Sequence, residues 1–298
     1  MKRARTLLFV GAIAAMATGF AACNPGDPYD IAVFGDVPYQ SSDVPRYNSM
    51  IAAINNTSIF SSTHIGDIGR DDPDPCLSST VDTEANRMDT FRRPLVYTPG
   101  DNEWADCANA VARLDYLRSR IHRGTGTQSR GQTTLALASQ DARGYPENAR
   151  FRKGPVTFVT IHVVGSKDNG TGSTGFAARR QANIDWLADA FDTARANGDK
   201  AVVIMAQDQP NLDNRASDSG ALAYQSMRDA VVREVSGFNG EVLYIHGDGH
   251  IYKNVTGELG LDNLQRVQVE GDTKVSYVRV HVEPGSSNVV SVAAPVSF

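Results

Sequence analysis

Four aspartates each follow a glycine at the end of an apolar, β-rich segment: Asp36, Asp67, Asp101 and Asp248. Glycine lets the backbone turn sharply, and the functional groups of α/β folds gather at the carboxyl ends of strands. The four carboxylates are therefore predicted to converge on one place. His250 follows the last of them by two residues and adds an imidazole to the same strand end.

A cluster of this composition would carry a large excess of negative charge. Carboxylates are rarely buried unless they are paired or bind a metal ion. A single Gly-Asp dipeptide would indicate no more than a surface turn, but its repetition after four apolar segments favours a shared site. The pattern therefore predicts one or two divalent cations among these side chains.

The rest of the chain predicts the strands and helices that deliver these groups. Apolar and β-branched runs predict strands at residues 30–36, 59–65, 94–98, 156–164, 201–205, 241–245, 264–269, 275–282 and 289–293. Apolar residues at helical spacing predict helices at residues 44–54, 83–91 and 177–196. Residues 69–80 are predicted to be a loop, and residues 124–133 a mobile surface loop. No internal repeat and no boundary between two domains is evident.

The order of these motifs resembles the calcineurin-like metallophosphoesterase superfamily. The matching motifs are Asp36, then Gly66-Asp67, then Gly100-Asp101-Asn102-Glu103, then Gly247-Asp248-Gly249-His250, and the resemblance spans about residues 30–255. The segments around Asp67 and Asp101 look like a divergent, secreted bacterial branch. The resemblance implies a four-layer α/β/β/α sandwich of two mixed sheets in a single domain at residues 30–298. It also implies a site for two divalent metal ions.

The chain departs from the family pattern at several positions. Pro38 stands where the family has a histidine ligand, and Asp101 stands where it has an asparagine. Asn102 replaces a histidine that donates to the substrate, and it cannot act as a general acid. Gln207 occupies the place of a lone histidine, and Asp248 replaces the first histidine of the last motif.

The metal ligands predicted on this basis are Asp36, Asp67, Asp101, Gln207, Asp248 and His250. Oxygen replaces imidazole nitrogen at Gln207, which offers only a weak carbonyl ligand, and at Asp248, so His250 alone offers nitrogen. Hard ions such as Mn²⁺, Mg²⁺ or Ca²⁺ are therefore expected in preference to Zn²⁺. This preference follows from ligand chemistry and not from the family resemblance.

The reaction that the resemblance implies is hydrolysis of a phosphoric ester by a metal-bound hydroxide. Asn102 is expected to hold a phosphate oxygen. The missing acid is expected from His64, His246 or His162, unless the leaving group needs none. For His162 the simpler interpretation is a buried histidine with satisfied hydrogen bonds. Glu103 is predicted to support its loop through backbone N–H groups.

The N-terminus has the pattern of an export signal. Lys2, Arg3 and Arg5 precede an uncharged, mostly apolar stretch at residues 6–20, which is too short for a membrane span. Residues 1–22 are predicted to be the signal peptide. Cys23 is a predicted lipidation site at the start of a linker over residues 23–29, with ordinary signal-peptidase cleavage as the alternative. The protein is thus expected in the periplasm, at the cell surface as a lipoprotein, or in the medium.

The chain has three cysteines. If Cys23 is lipidated or removed, Cys76 and Cys107 remain as an even pair in an exported protein, which predicts a disulfide. Two unpaired thiols are the alternative.

Composition limits the function classes. The 298 residues carry a net charge of −5, which does not suggest a general nucleic-acid binder. The expected partner is a phosphorylated small molecule or a phosphodiester, and any membrane contact is expected only through a lipid anchor. The substrate, the choice of monoester or diester, and the oligomeric state stay open. The alternative to an enzyme is a non-catalytic envelope protein that keeps the fold and loses the chemistry.

Overall fold

The computed structural model describes residues 26–165, 175–213 and 220–298. The predicted signal peptide and Cys23 lie outside these residues, so both stay predictions. None of the helices in the described part of the chain is long and apolar enough to cross a membrane.

The described residues form thirteen strands and five α-helices. The strands are β1 (Tyr29–Phe34), β2 (Ser61–His64), β3 (Leu95–Tyr97), β4 (Ala138–Gln140), β5 (Tyr145–Lys153), β6 (Val156–Thr160), β7 (Ala201–Met205), β8 (Glu241–His246), β9 (Lys253–Thr256), β10 (Leu264–Gln268), β11 (Ser276–Val282), β12 (Val290–Val292) and β13 (Val296–Ser297). The α-helices are α1 (Val44–Asn55), α2 (Ser78–Met88), α3 (Ala110–Arg120), α4 (Phe176–Asn197) and α5 (Gly220–Ser236).

The strands make two mixed sheets. The first has the order β12-β11-β1-β2-β3, with β13 also paired to β11, and the second has the order β4-β5-β6-β7-β8-β10-β9. In the first sheet, β1, β2 and β3 are parallel neighbours. In the second, β6, β7, β8 and β10 are parallel neighbours. Each sheet therefore has one edge at which the carboxyl ends of several strands meet.

Alternation of side chains along the strands explains the layers. Ile31 and Val33 of β1 belong to the core between the two sheets, whereas Phe34 packs with Tyr47 and Met50 of α1. In the second sheet, one set of alternate side chains also faces the core between the sheets, and the other set packs against α4 and α5. Because both faces of the central strands are buried, β7 is apolar along its whole length. The predicted four-layer α/β/β/α sandwich is confirmed.

Two local predictions need correction. The helix expected at residues 83–91 runs over Ser78–Met88, because Val81, Ala85 and Met88 form its buried face. The segment 124–133, predicted to be a mobile surface loop, pairs with the sheet edge through backbone hydrogen bonds of 2.9 and 2.7 Å between Leu95 and Arg130.

Cys76 and Cys107 form the predicted disulfide. The two sulfur atoms lie 3.9 and 3.5 Å from the carbonyl oxygen of Asn102, so the bridge packs against the loop that carries Asp101. The disulfide therefore ties the start of α2 to the loop after β3.

Replacing both bridged cysteines by serine is expected to lower the free energy of unfolding by about 3–4 kcal/mol, because the reduced chain regains the entropy of a closed loop. Urea denaturation of the double variant measures the change. Wild type unfolded in the presence of a reductant is the control and should give the same loss. A difference below about 1 kcal/mol would mean that the bridge adds little to the fold.

Candidate metal centre

The carboxyl ends of strands from both sheets bring the predicted ligands together. The first sheet supplies the residues that follow β1, β2 and β3, and the second supplies those that follow β7 and β8. In that order they are Asp36, Asp67, Asp101, Gln207, Asp248 and His250. Asp36 is 0% exposed, Asp67 2% and Asp101 5%. The structure therefore brings the carboxylates together in one place, as predicted, at strand ends of both sheets.

The backbone at these positions is unusual. Asp36, Asp67, Asp248 and His250 have φ values of 55, 59, 61 and 56°, in the left-handed region that side chains seldom adopt. Aspartate tolerates this region better than most residues, and such conformations gather at functional sites. Each strand therefore ends in a tight turn that presents its side chain to the cluster.

Three glycines let the carboxylates lie against the backbone. A Cβ atom on Gly247 would overlap Oδ2 of Asp36, and one on Gly100 would overlap Oδ1 of Asp67. A Cβ atom on Gly165 would overlap Oδ1 of Asp248 and lie 3.0 Å from Oδ2 of Asp101.

Two carboxylate oxygens of the cluster lack a hydrogen-bond partner. They are Oδ2 of Asp36 and Oδ1 of Asp101, and both are buried. Nε2 of His250 lies 3.2 Å from Oδ1 of Asp36. Ligand atoms of Asp36, Asp67 and His250 lie within 4.8 Å of one another. Unpartnered buried carboxylate oxygens are costly unless a cation satisfies them, so the residues fit a divalent ion.

The electrostatics of the cluster lead to the same conclusion. Burial raises the pKa of Asp67 well above its ordinary value, and Asp101 and Asp36 raise it further. Burial and Asp248 raise the pKa of Asp101 to about 8. Burial lowers the pKa of His250, but the contact with Asp36 outweighs it and leaves the value raised. Without a cation, these carboxylates hold protons that ordinary aspartates lose.

No family model matches the chain, and no curated protein sequence matches it. Among solved structures it is similar to a dimetal phosphatase from Danio rerio, with a TM-score of 0.62 and 13% identity over 91% of this chain and 99% of that one. The chain has the calcineurin-like phosphoesterase fold. A phosphopantetheinyl hydrolase from Mycobacterium tuberculosis is a weaker match, with a TM-score of 0.41 and 13% identity over 83% of this chain and 91% of that one.

Within this calcineurin-like fold, the side-chain oxygen of Gln207 does not lie toward the cluster. It accepts a hydrogen bond of 2.8 Å from the backbone N–H of Gly165. The amide nitrogen instead donates to Oδ2 of Asp67 at 3.2 Å and to Oδ1 of Asp248 at 3.1 Å. The ligand role predicted for Gln207 would require its amide to rotate, so that role stays a prediction.

Asn102 lies at the cluster, but its side-chain amide already has partners. Its Nδ2 donates to the carbonyl oxygen of Gly69 at 2.8 Å and to the hydroxyl of Tyr39 at 3.1 Å. The ring of Tyr39 packs edge-on against His250 at 4.9 Å between centroids. The structure therefore places Asn102 where it positions Tyr39, and its predicted contact with a phosphate oxygen stays untested.

His64 is fully buried, and both of its ring nitrogens contact backbone atoms. Nε2 lies 2.8 Å from the carbonyl oxygen of Val37, and Nδ1 accepts from the N–H of Gly66 at 3.1 Å. Burial lowers its pKa to about 4, so the ring is neutral at pH 7. These contacts join the turn after Asp36 to the turn before Asp67. They favour a positioning role for His64 over proton donation to a substrate.

His246 is also buried and lies behind the cluster. Its Nδ1 is 3.0 Å from the carbonyl oxygen of Gly247, and its Nε2 is 2.9 Å from Nη1 of Arg266. Arg266 in turn forms hydrogen bonds of 2.6 and 2.7 Å with the carboxylate of Glu258. His246 therefore supports the turn that carries Asp248.

Glu103 fixes two of the turns at once, as its predicted supporting role requires. It is 0% exposed, and its carboxylate accepts the backbone N–H of Asp67 at 3.2 Å and that of Gly100 at 2.7 Å. The hydroxyl of Tyr97 donates a short hydrogen bond to the same group. Glu103 thereby sets the distance between the loops that carry Asp67 and Asp101.

Glu103→Gln is expected to lower the free energy of unfolding by roughly 2–3 kcal/mol, because an NH₂ group would then face backbone donors in a buried site. Tyr97→Phe removes one donor and leaves the others, so the expected loss is about 1 kcal/mol. Urea denaturation at one fixed Mn²⁺ concentration measures both. A larger loss for Tyr97→Phe than for Glu103→Gln would contradict this assignment.

A second buried polar group lies behind Trp104 and carries no sequence motif. Nδ1 of His162 is 2.8 Å from Glu147, which also forms an ion pair of 2.6 Å with Arg118. The ring of His162 packs edge-on against Trp104 at 5.3 Å. His162 is buried, as the simpler interpretation held, but its Nε2 has no hydrogen-bond partner among the described residues. His122 belongs to the same region and is also buried.

Proposed function

We propose that this chain is a metal-dependent phosphoric ester hydrolase that acts outside the cytoplasm. The observation that carries the proposal is the convergence of four carboxylates and His250, with unpartnered ligand atoms, at one edge of a calcineurin-like fold. The similarity to a dimetal phosphatase supports it at the level of fold.

Two divalent ions would be held by different parts of the cluster. One would be held by Asp36, Asp67 and His250, whose ligand atoms lie within 4.8 Å of one another, and the other would be held by Asp67, Asp101 and Asp248. Ions bound there activate water and neutralise charge on a phosphoryl group. Carboxylate oxygens outnumber imidazole nitrogen in this set, so Mn²⁺, Mg²⁺ or Ca²⁺ is proposed in preference to Zn²⁺.

The surrounding residues of the chain fix the ligands in place. Glu103 holds the turns before Asp67 and Asp101 through backbone N–H groups. Tyr39 limits rotation of the His250 ring by packing against it, and Asn102 orients the Tyr39 hydroxyl. Preorganised ligands of this kind lower the cost of binding both ion and substrate.

Export is proposed on two grounds. The first is the basic and then apolar N-terminal segment, and the second is the Cys76–Cys107 disulfide, since disulfides persist in oxidising compartments. Mass spectrometry of the mature N-terminus tests this proposal. An acylated Cys23 would indicate a lipoprotein, a start nearby without lipid would indicate ordinary cleavage, and an intact N-terminus in the cytoplasm would contradict export.

A non-catalytic metal-binding protein is the second candidate. Its support is that both ring nitrogens of His64 contact backbone atoms and that Asn102 cannot donate a proton as an acid. No general acid therefore stands ready in the place where the resemblance expects one.

Metal add-back on the purified full chain separates the two candidates. The protein is dialysed against a chelator, and Mn²⁺, Mg²⁺, Ca²⁺ or Zn²⁺ is restored one at a time. Hydrolysis of p-nitrophenyl phosphate or bis-p-nitrophenyl phosphate that depends on the ion supports the hydrolase, and the better substrate separates monoester from diester chemistry. Bound ion without hydrolysis of either ester would favour the non-catalytic protein.

A further inference from the structure

The two proposed ion positions differ in how many of their ligand atoms already accept hydrogen bonds from Gln207. At the first position, Oδ2 of Asp36 has no hydrogen-bond partner, and Nε2 of His250 lies 3.2 Å from Oδ1 of Asp36. At the second, Oδ2 of Asp67 and Oδ1 of Asp248 both accept hydrogen bonds from the amide nitrogen of Gln207. A cation therefore meets one carboxylate held by Gln207, Asp67, at the first position, and two, Asp67 and Asp248, at the second.

The orientation of the Gln207 amide is fixed from its other end. Its oxygen accepts the backbone N–H of Gly165 at 2.8 Å, and the side chain is 0% exposed. Rotating the amide would turn its NH₂ group toward that N–H and leave two buried donors facing each other. Burying donors without acceptors is unfavourable, so the observed orientation is the stable one.

Gly165 lies against the second position as well. A Cβ atom there would overlap Oδ1 of Asp248 and come within 3.0 Å of Oδ2 of Asp101. Asp101 and Asp248 therefore meet at the same glycine whose N–H holds Gln207. The amide NH₂ group thus sits among the carboxylates as a neutral donor, where a divalent ion would otherwise compensate their charge.

We infer that Gln207 makes the two positions unequal, so that the Asp36–Asp67–His250 position fills first and the Asp67–Asp101–Asp248 position fills only when the Gln207 amide gives up its hydrogen bonds. The inference rests on the proposed function for the identity of the two positions. A net hydrogen bond is worth about tenfold in an equilibrium constant. The second position loses one more of them than the first, so its ion should bind about tenfold more weakly.

The test is a titration of the chelator-treated full chain with Mn²⁺, in which the electron paramagnetic resonance signal of free Mn²⁺ gives the amount bound. Wild type should show two classes of site, one ion in each, separated by at least about tenfold in affinity. Gln207→Glu removes the NH₂ donors and keeps an oxygen for the N–H of Gly165. It should tighten the weak class by about tenfold or more and leave the tight class in place.

The matched control is Gln265→Glu, which adds the same charge on β10, where the side chain of Gln265 bonds to Asn254. It should leave both classes unchanged. Asp36→Asn should remove the tight class. Two equal classes in wild type would overturn the inference, even if Gln207→Glu failed to fold, and so would a weak class that Gln207→Glu does not alter.

Hydrolysis is measured on the same samples, so that failure of this inference can be distinguished from failure of the proposed function. Unequal classes without turnover would overturn the hydrolase and leave the role of Gln207 standing. Equal classes with turnover would support the hydrolase and overturn the role of Gln207. A chain that binds no Mn²⁺ at all would overturn both.

Discussion

Asp67→Asn is expected to lower metal-dependent hydrolysis of an aryl phosphate ester by about a thousandfold or more, since a bound metal supplies several kcal/mol to such reactions. Asp67 is the one carboxylate that the two proposed ion positions share. Asparagine keeps the size of the side chain and one oxygen but removes the charge. The ions lose a common ligand, and the phosphoryl group loses the charge compensation that they supply.

The fold should survive this substitution. Burial, Asp101 and Asp36 raise the pKa of Asp67, so this side chain holds a proton in the absence of metal, and asparagine resembles that neutral form in size and charge. Asp115→Asn on α3 is the matched control, because that side chain is 68% exposed. The comparison uses initial rates at saturating Mn²⁺, with circular dichroism as the check on folding. Turnover retained within about tenfold in folded Asp67→Asn would exclude the shared-ligand role.

The aspartates of the cluster could be predicted because their signal is local in sequence. Asp36, Asp67 and Asp101 each stand directly after a glycine and an apolar strand, and parallel strands bring their carboxyl ends to one edge. The same argument placed Asp248 and His250, which follow β8 in the second sheet. A short sequence segment thus contains both the side chain and the strand that positions it.

The contacts that decide the role of Gln207 are not local. Its amide meets Asp67 at a sequence separation of 140 residues and Gly165 at 42. The direction of an amide depends on which donors and acceptors the fold brings close to it. No motif records these distances, so the sequence suggested an oxygen ligand where the structure has an NH₂ donor.

The buried polar group behind Trp104 escaped prediction for the same reason. Glu147 lies on β5 and pairs with His162 and with Arg118 of α3. Each of these residues alone has the pattern of an ordinary surface or strand residue. Burial of His122 likewise depends on Tyr97, whose ring lies 5.6 Å away between centroids. Histidine and glutamate carry no sequence signal for burial until their partners are known.

The metal-free protein is expected to lose stability as the pH rises from about 7 to about 9, by up to about 1.4 kcal/mol per pH unit for each group that titrates there. Burial and Asp248 raise the pKa of Asp101 to about 8, whereas an unfolded aspartate titrates near 4. The folded state therefore holds a proton that the unfolded state has released. Its contribution to stability is complete below about pH 4 and is lost as the pH rises through about 8.

A divalent ion should abolish this slope, because it replaces the proton as the partner of the carboxylate at every pH in the window. Asp101→Asn should flatten the slope of the metal-free protein in the same way, since asparagine does not titrate. The measurement is urea denaturation at pH 7, 8 and 9, with chelator and then with Mn²⁺. Metal-free stability that stays level or increases over this range would show that Asp101 is ionised without a cation, and that the cluster tolerates its own negative charge.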